Sequence, residues 1–223
     1  MPSQPPVGGS RVTLIVVLDS RLYLVCDARP GGRPLADVLV PALAGGVDLF
    51  QLRMKDADDA EILAAAEIAA DLCQDAGVPF ILNDRPELVE AAGAAGVHVG
   101  QDDTPVEEAR TIAGAGAIVG LSTHSVAQVD DARTREIDYF AVGPVHATPT
   151  KLGRPAIGLD PIRHAAQVET VRPWFAIGGL DLDTTQAVLD AGATRIVVVR
   201  AIAEADDPGR AARSLRAVIE AAA

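Results

Sequence analysis

Only two of the 19 basic residues in this 223-residue chain are lysines, and each closes a short polar motif. Lys55 ends the segment 51–55 (QLRMK), and Lys151 ends the segment 148–151 (TPTK). Every other basic residue is an arginine. Because a compact ammonium and a planar guanidinium are not interchangeable beside a crowded oxyanion, the two lysines indicate positions where a point charge is required. Chance survival of two surface lysines is the alternative.

Alternation along the first motif places three polar side chains on one face of a predicted strand. Successive strand residues point to opposite faces, so Gln51, Arg53 and Lys55 face one way, and Leu52 and Met54 face the other. A solvated strand edge with salt bridges is the alternative interpretation. If this face lies inside a closed barrel, two buried cations without an anion are strongly unfavourable. The pattern therefore favours an anion-binding site.

Carboxylates follow two neighbouring predicted strands. Asp84 follows the third strand, and Asp103 follows the fourth. Carboxylates at adjacent strand ends are natural ligands for Mg2+, which completes its coordination with water and phosphate oxygens. Taken singly, each is also a candidate helix cap, because Pro86 and Pro105 mark nearby helix starts. Together, beside two lysines, they predict a magnesium site.

Hydroxyl groups and a lysine follow the fifth and sixth predicted strands. Ser122 ends the fifth strand, where its hydroxyl could equally donate to a phosphate or cap the next helix. Thr148, Thr150 and Lys151 lie on a proline-stiffened loop after the sixth strand. Two hydroxyls and an ammonium on such a loop predict an anion clamp.

Two further loops have the composition of a phosphate site. Gly178 and Gly179 follow the seventh strand, where an ordinary tight turn is the alternative. Glycine allows backbone N–H groups to approach a ligand closely. The segment Ala201–Ala203, after the eighth strand, is a candidate short helix. Phosphate sites in many (β/α)8 barrels are built from the loops after strands seven and eight with such a helix.

The four histidines are weak candidates for chemistry. His124 and His146 lie on predicted loops, but neither has a partner at a metal-binding spacing such as HExxH. His98 falls inside the fourth strand and is expected to be packed. His164 falls in a helix and is expected to face solvent.

The elements that must position these residues are eight short apolar runs that alternate with alanine-rich amphipathic segments. The runs are 22–26, 48–53, 80–83, 96–99, 118–122, 139–142, 174–177 and 195–199. The segments are 57–76, 85–92, 105–113, 125–136, 159–168, 183–191 and 208–222. This alternation predicts a single α/β domain, a (β/α)8 TIM barrel with its active site at the C-terminal ends of the strands. A doubly wound open sheet is the rival, but the glycine-rich turn typical of that fold does not follow the first run.

Composition limits the partners and the compartment. The net charge of −12 argues against nucleic acid and anionic membranes as partners, so cations for an anionic substrate must be concentrated locally. Cys26 and Cys73 are too few for a disulfide framework or a four-ligand zinc site, and a reduced, cytoplasmic location is expected. Residues 1–20 are expected to be a partly disordered extension, and residues 21–223 the barrel domain.

The order of these motifs resembles that of the thiamine phosphate synthase family over about residues 21–220. The motifs are Gln51-Leu52-Arg53-x-Lys55, Asn83-Asp84, His98-Val99-Gly100-Gln101-x-Asp103, Gly143-Pro144-Val145, Thr148-x-Thr150-Lys151 and Gly178-Gly179. Each motif alone is weak, but six in order at these spacings are a specific signal.

The resemblance implies an enzyme that displaces pyrophosphate from hydroxymethylpyrimidine pyrophosphate with the ring nitrogen of a thiazole phosphate, with thiamine phosphate as product. It implies that Asp84 and Asp103 hold Mg2+ on the pyrophosphate and that the partners are these small molecules, within a possible homodimer. It assigns Arg53, Lys55, Ser122 and Lys151 as catalytic contacts to the leaving pyrophosphate, Gln51 and Asn83 to the aminopyrimidine, and Thr148, Thr150, Gly179, Val199 and Arg200 to the thiazole phosphate.

Two residues depart from the family pattern, and two other functions are compatible with the fold. His146 stands where an aromatic residue is common, and Arg200 stands where serine is frequent. A thiazole tautomerase of similar fold would need a proton-transfer residue but not the pair Asp84 and Asp103. A non-catalytic sensor of phosphate ligands could keep Gly179 while losing Lys55 or Asp103, but this chain retains all three.

Overall fold

Eight parallel strands close into a barrel in chain order in the computed structural model, which describes residues 17, 19–148 and 155–222. The strands are β1 (Leu22–Cys26), β2 (Leu49–Leu52), β3 (Phe80–Asn83), β4 (Gly96–Val99), β5 (Ile118–Thr123), β6 (Tyr139–Val142), β7 (Trp174–Ile177) and β8 (Ile196–Val198). Pairing of β1 with both β2 and β8 closes the sheet. The predicted (β/α)8 fold is confirmed, and an open doubly wound sheet is excluded.

Helices cover the outer face of the barrel. They are α1 (Leu35–Ala44), α2 (Asp59–Ala76), α3 (Val106–Ala113), α4 (Val126–Ala132), α5 (Asp160–Gln167), α6 (Thr185–Asp190), α7 (Arg200–Ala203) and α8 (Pro208–Ala221). The longest, α2, begins at a capping box in which the Asp58 side chain accepts from Glu61 N–H and the Glu61 side chain accepts from Asp58 N–H. It ends at Gly77, which adopts the left-handed conformation.

The helix predicted over 85–92 is wrong in type and length. The structure has a 3-10 helix at Pro86–Leu88, followed by turns that end at Gly93 with φ +63°. The link between β3 and β4 is too short for a full helix and two loops. One turn is enough to bury Leu88 and Val89 against the core.

The core has two layers separated by the sheet. The larger cluster lies between strands and helices and includes Leu24, Leu39 and Phe140. The smaller cluster fills the barrel interior, where Tyr23 and Tyr139 each make edge contacts with Phe175 at ring-centre distances of 5.4 and 5.8 Å. Interior layers of this kind are typical of barrels, which are packed rather than hollow.

Asp48 closes the end of the barrel opposite the cavity described below. Its Oδ1 accepts hydrogen bonds from the N–H groups of Arg21 and Leu22, both at 2.9 Å. Its Oδ2 forms an ion pair with Arg216 of α8. This carboxylate therefore ties the start of β1 and the last helix to the start of β2.

Part of the predicted N-terminal extension contacts the barrel. Val17 is fully buried in the interior cluster, and the Ser20 hydroxyl donates to the Asp48 carbonyl at 2.9 Å. Residues 1–16 and 18 lie outside the described residues. The domain boundary at residue 21 therefore stays a prediction. Among the helices of the described ranges, none combines the length and apolarity needed to cross a bilayer.

Candidate active site

A cavity of about 320 Å³ opens at the C-terminal ends of the strands. Its wall includes many of the residues predicted to bind substrate, namely Gln51, Arg53, Asn83, Ser122, Thr148, Gly179, Val199 and Arg200. These residues come from loops and strands spread along most of the chain, and closure of the barrel brings them together. Thr150 and Lys151 lie outside the described residues.

The lysine of the first motif is placed differently from the strand prediction. Strand β2 ends at Leu52, so Lys55 lies in a turn beyond the alternating segment. Gln51 is 3% exposed and Arg53 lines the cavity, as the alternation predicts. The Lys55 ammonium instead extends to the next strand end, where Nζ lies 3.0 Å from Asp84 Oδ2. Lys55 thus lies beside the carboxylate of Asp84, and not on the face of β2 with Gln51.

The carboxyl groups of Asp84 and Asp103 lie within hydrogen-bonding reach of each other. Burial raises the pKa of Asp84, and the neighbouring Asp103 raises it further, while Lys55 lowers it. Asp84 adopts a left-handed conformation with φ +62°, which is costly for a residue other than glycine. Gly100 N–H donates to Asp103 Oδ2 at 2.8 Å and orients that carboxylate.

Neither carboxylate serves as a helix cap. Helix α3 has Pro105 at its N-cap, and the short helix after β3 has Arg85, in both cases without a capping side-chain hydrogen bond. Two carboxylates held close together beside one ammonium keep excess negative charge that a divalent cation would neutralise. In the described part of the chain, no group of three or more acidic, histidine or cysteine side chains is arranged around a metal position. The donor set fits Mg2+, which is commonly held by one or two carboxylates and substrate phosphates.

The glycines after β7 pack tightly against the loop after β6. Gly178 has φ +113°, and a Cβ there would lie 2.4 Å from the Pro144 Cα. Gly179 has φ +66°, and a Cβ there would lie 2.8 Å from the His146 Cβ. Val145 N–H donates to the Ile177 carbonyl at 2.9 Å, which locks the two loops together. Glycine is thus required by close approach as well as by backbone conformation.

The short helix predicted at 201–203 is confirmed as α7, Arg200–Ala203. Val199 is its N-cap residue, and its carbonyl accepts a hydrogen bond from Ala203 N–H at 2.9 Å. Val199 and Arg200 both line the cavity, although Arg200 is largely exposed. The start of α7 therefore faces the cavity beside Gly179, as phosphate sites in other barrels do.

A chain of buried hydrogen bonds crosses the barrel at the floor of the cavity, which four of its five residues line. Gln51 Nε2 donates to the Tyr23 hydroxyl, which lies 2.9 Å from the Tyr139 hydroxyl. The Tyr139 hydroxyl lies 3.0 Å from His98 Nδ1, and His98 Nε2 lies 2.9 Å from Ser122 Oγ. Five strands contribute one residue each, so the chain links two predicted substrate contacts, Gln51 and Ser122.

Sequence reasoning missed the roles of Tyr23 and Tyr139 and treated His98 as packing alone. His98 is buried, as predicted, but both of its ring nitrogens are engaged by hydroxyl groups. The signal was the position of these polar side chains in otherwise apolar strands, where a buried hydroxyl or imidazole needs a partner. The hydroxyl of Ser122 contacts His98 and does not cap the next helix, because the N-cap of α4 is Ser125.

His124 and His164 contact neighbouring polar groups, and both cysteines are buried. His124 lines the cavity, with Nδ1 in contact with the Gly143 carbonyl. His164 is partly exposed and lies 2.8 Å from Asp130 Oδ1. Cys26 and Cys73 are both buried free thiols, and burial raises the pKa of each above its usual range, so neither is a reactive thiolate.

Comparison with known proteins places this barrel in a family. The family described as thiamine monophosphate synthase matches residues 22–202, most of the chain. The chain belongs to this family. A thiamine-phosphate synthase of Thermus thermophilus is 53% identical over 199 residues, covering 88% of this chain and 95% of that one. A thiamine-phosphate synthase of Streptomyces avermitilis is 50% identical over 195 residues, covering 87% and 91%.

A solved structure agrees with this assignment. The thiamine phosphate pyrophosphorylase of Pyrococcus furiosus superposes with a TM-score of 0.82 at 30% identity, covering 93% of this chain and 98% of that one. The family and the transferase class predicted from the sequence are thereby confirmed.

Proposed function

We propose that the protein joins hydroxymethylpyrimidine pyrophosphate to a thiazole phosphate and releases thiamine phosphate and pyrophosphate. The observation that carries the proposal is that three kinds of group gather at the C-terminal ends of the strands. The side-chain amides of Gln51 and Asn83 and a glycine turn beside a short helix line the cavity, and a carboxylate pair with a lysine lies next to Asn83 at the ends of β3 and β4. They suit a heteroaromatic ring, a phosphate monoester and a metal pyrophosphate, respectively.

Asp84, Asp103 and Lys55 form a group, here named the carboxylate corner, that suits the pyrophosphate. Asp84 and Asp103 would hold Mg2+, and Lys55 lies against Asp84 where it can also reach a phosphate oxygen. Arg53 lines the adjacent wall. Bound Mg2+ would neutralise charge on the leaving pyrophosphate. Lys151 is proposed as a further contact to the same group on sequence grounds alone.

The side-chain amides of Gln51 and Asn83 suit the aminopyrimidine. Gln51 donates its Nε2 to Tyr23, which leaves Oε1 as an acceptor for an exocyclic amino group. Asn83 lines the same cavity from the next strand. An amide whose orientation is set by a buried partner discriminates a hydrogen-bonding ring from an apolar one, because a mismatch leaves a buried polar group unpaired.

The glycine turn suits the thiazole phosphate. Gly179, Val199 and Arg200 line one side of the cavity, and Thr148 lies on the facing loop. Backbone N–H groups near a helix start favour a phosphate. Thr150, on the same loop in sequence, is proposed to assist.

The displacement does not require a general acid, a general base or a covalent nucleophile from the protein. In a dissociative displacement the C–O bond breaks first and its electrons leave on pyrophosphate, and the lone pair of the thiazole nitrogen then forms a bond to the methylene carbon. An electron-rich aminopyrimidine stabilises the methylene cation when bond breaking leads bond formation. The protein needs to hold the two rings in line and stabilise the departing charge with Arg53, Lys55, Ser122 and Lys151.

The two rival functions receive less support. A tautomerase would not need the Asp84 and Asp103 pair, which the fold assembles at the cost of a left-handed Asp84. A sensor would not need the carboxylate corner at all. A homodimer and a cytoplasmic location remain predictions from family resemblance and composition.

The test is a coupling assay with purified protein, hydroxymethylpyrimidine pyrophosphate, thiazole phosphate and Mg2+, with both products separated by chromatography. We expect thiamine phosphate and pyrophosphate in equal amounts, and loss of both when EDTA removes the metal. Absence of product while thiazole phosphate still binds would contradict the synthase and favour the tautomerase or the sensor. Full turnover in EDTA would remove Mg2+ from the proposal.

A further inference from the structure

The hydrogen-bond chain at the floor of the cavity can run in a single direction from its Gln51 end. The Gln51 amide donates to Tyr23, so the Tyr23 oxygen accepts and its own hydrogen is available to Tyr139. Either hydroxyl of the Tyr23–Tyr139 pair can donate, and the roles of the His98 nitrogens depend on the tautomer. In the order that continues from Gln51, Tyr139 accepts from Tyr23 and donates to His98 Nδ1, so a neutral imidazole carries its proton on Nε2 and donates it to Ser122 Oγ.

We propose that this one-way order makes His98, as a neutral Nε2–H imidazole, the positioning residue that turns the Ser122 hydroxyl hydrogen toward the cavity. The Ser122 oxygen accepts from His98, so its own hydrogen points away from the chain. At the other end, Gln51 presents Oε1 as an acceptor. The hydrogen-bond chain thereby presents Gln51 Oε1 as an acceptor where the aminopyrimidine would lie, and the Ser122 hydroxyl as a donor where the pyrophosphate would lie. This proposal rests on the proposed function only for the identity of the groups that are recognised.

The packing around these hydrogen bonds leaves room for the contact between Tyr139 and His98. A Cβ on Gly120 would lie 2.5 Å from His98 Nδ1 and 2.2 Å from the Tyr139 Cζ. The absence of a side chain at this inward position of β5 therefore makes room for the contact between Tyr139 and His98. Burial raises the pKa of Tyr23 and Tyr139 well above the usual range, so both hydroxyls keep the protons that the ordered chain requires.

The far end is held from two sides. Gln101 Nε2 donates to the Ser122 backbone carbonyl at 2.7 Å, which fixes the main chain of that residue. The hydroxyl hydrogen of Ser122 can still rotate about its C–O bond, and the hydrogen bond with His98 limits this rotation. A donor that is oriented before substrate arrives costs no reorganisation when charge develops on the leaving group.

The tautomer of His98 is the direct readout and does not require activity. We would record nitrogen NMR spectra of the resting protein labelled with ¹⁵N-histidine, with the His98 signals assigned by their loss in His98→Gln. The expected result is a pyrrole-type Nε2 and a pyridine-type Nδ1. In Tyr139→Phe, which keeps the ring but removes the hydroxyl, a population with the proton on Nδ1 should appear. A proton on Nδ1 in the wild-type protein would overturn the proposed direction.

Kinetics test whether the order matters for the reaction. Tyr139→Phe and Tyr23→Phe should lower kcat by about tenfold, less than the ~100-fold expected when the Ser122 donor is removed in Ser122→Ala. The KM for thiazole phosphate should change by less than about twofold, because that substrate binds at the other side of the cavity. Phe175→Leu is the matched control, since Phe175 packs on both tyrosine rings but contributes no hydroxyl. It should leave the tautomer unchanged and kcat within about twofold.

The outcomes separate this proposal from the proposed function. If wild-type protein forms no thiamine phosphate, the proposed function fails, while the NMR spectrum still decides the direction of the chain. If turnover is present but equal losses of kcat occur in Tyr139→Phe and Phe175→Leu, the hydroxyls serve packing alone and the positioning role of His98 is contradicted.

Discussion

At the scale of single residues, the site depends on groups that are unfavourable by themselves. Asp84 adopts a left-handed backbone conformation and has a raised pKa because it is buried beside Asp103. Lys55 offsets part of the repulsion at 3.0 Å. Strain and like charges of this kind persist in folded proteins mainly where a ligand uses them. The carboxylate corner is therefore better explained by a bound cation than by stability.

Substitution of Asp103 tests this corner. We expect Asp103→Asn to raise the Mg2+ concentration for half-maximal activity at least ~10-fold, because an amide oxygen is a weaker ligand for a hard cation. Asp102→Asn is the matched control, since the neighbouring Asp102 is exposed. A Mg2+ titration monitored by pyrophosphate release makes the measurement, and identical curves for both variants would remove Asp103 from the set of ligands.

The second lysine tests whether a point charge is required. Lys151→Ala should lower kcat by ~100-fold with little change in the KM for thiazole phosphate, because the ammonium acts on charge that develops in the transition state. Lys151→Arg should not restore kcat, since a guanidinium differs from an ammonium in shape and hydration. Steady-state kinetics of the two variants decide this. Equal effects on kcat and KM, or full activity of the arginine variant, would contradict the prediction.

At the scale of elements, the site is made by loops that are locked to one another. Val145 and His146 donate backbone hydrogen bonds to Ile177 and Gly178, so the loop after β6 continues the pairing beyond β7. Gly178 is needed because this approach leaves no room for a Cβ. The positions of the phosphate contacts are therefore determined by the contact between two loops and not by either loop alone.

Substitution of Gly179 separates backbone strain from the loop contact. In Gly179→Ala the new Cβ would lie 2.8 Å from the His146 Cβ, so the loop must move. We expect the KM for thiazole phosphate to rise by about tenfold or more. Gly77→Ala is the control, because Gly77 has nearly the same φ, +67°, but nothing within 4 Å of its Cβ position.

Both glycine variants should lose roughly 1 kcal/mol of the free energy of unfolding from the strained φ, and Gly179→Ala should lose more because its loop must also move. Only Gly179→Ala should affect substrate binding. Chemical denaturation and steady-state kinetics measure the two effects. An unchanged KM in Gly179→Ala would show that the phosphate lies elsewhere.

At the scale of the whole molecule, the two ends of the barrel have different tasks. The end with the cavity carries the polar site, whereas the opposite end is closed by Asp48, which connects the starts of β1 and β2 to α8. This division is typical of (β/α)8 enzymes, in which catalysis and stability are carried by opposite faces. Changes at the closed end should therefore alter stability without altering the site.

Asp48→Ala tests that division. Loss of the carboxylate leaves the N–H groups of Arg21 and Leu22 and the Arg216 side chain without this acceptor. We expect the free energy of unfolding to fall by about 1–3 kcal/mol, with kcat unchanged in the folded fraction. Glu220→Ala is the control, since it removes a more exposed partner of the same Arg216 and should cost less than about 1 kcal/mol. A large change in kcat without loss of stability would contradict the separation of tasks.

Most of the fold and much of the site could be predicted from sequence because their signals are local. Alternating apolar runs and amphipathic segments predicted the eight strands within one or two residues, and the strand ends indicated Gln51, Arg53 and Ser122, all of which line the cavity. The segment 85–92 was predicted wrongly, since its helical pattern has no room between β3 and β4.

By itself, the sequence determined the barrel, the family and the residue types at the strand ends, because secondary structure and motif order are written along the chain. Only the tertiary structure decided which side chains meet. Lys55 lies against Asp84, and Tyr23, Tyr139 and His98 connect Gln51 to Ser122 across the interior. Such contacts depend on strand order, tilt and the empty position at Gly120, and these are properties of the closed barrel that no local pattern contains.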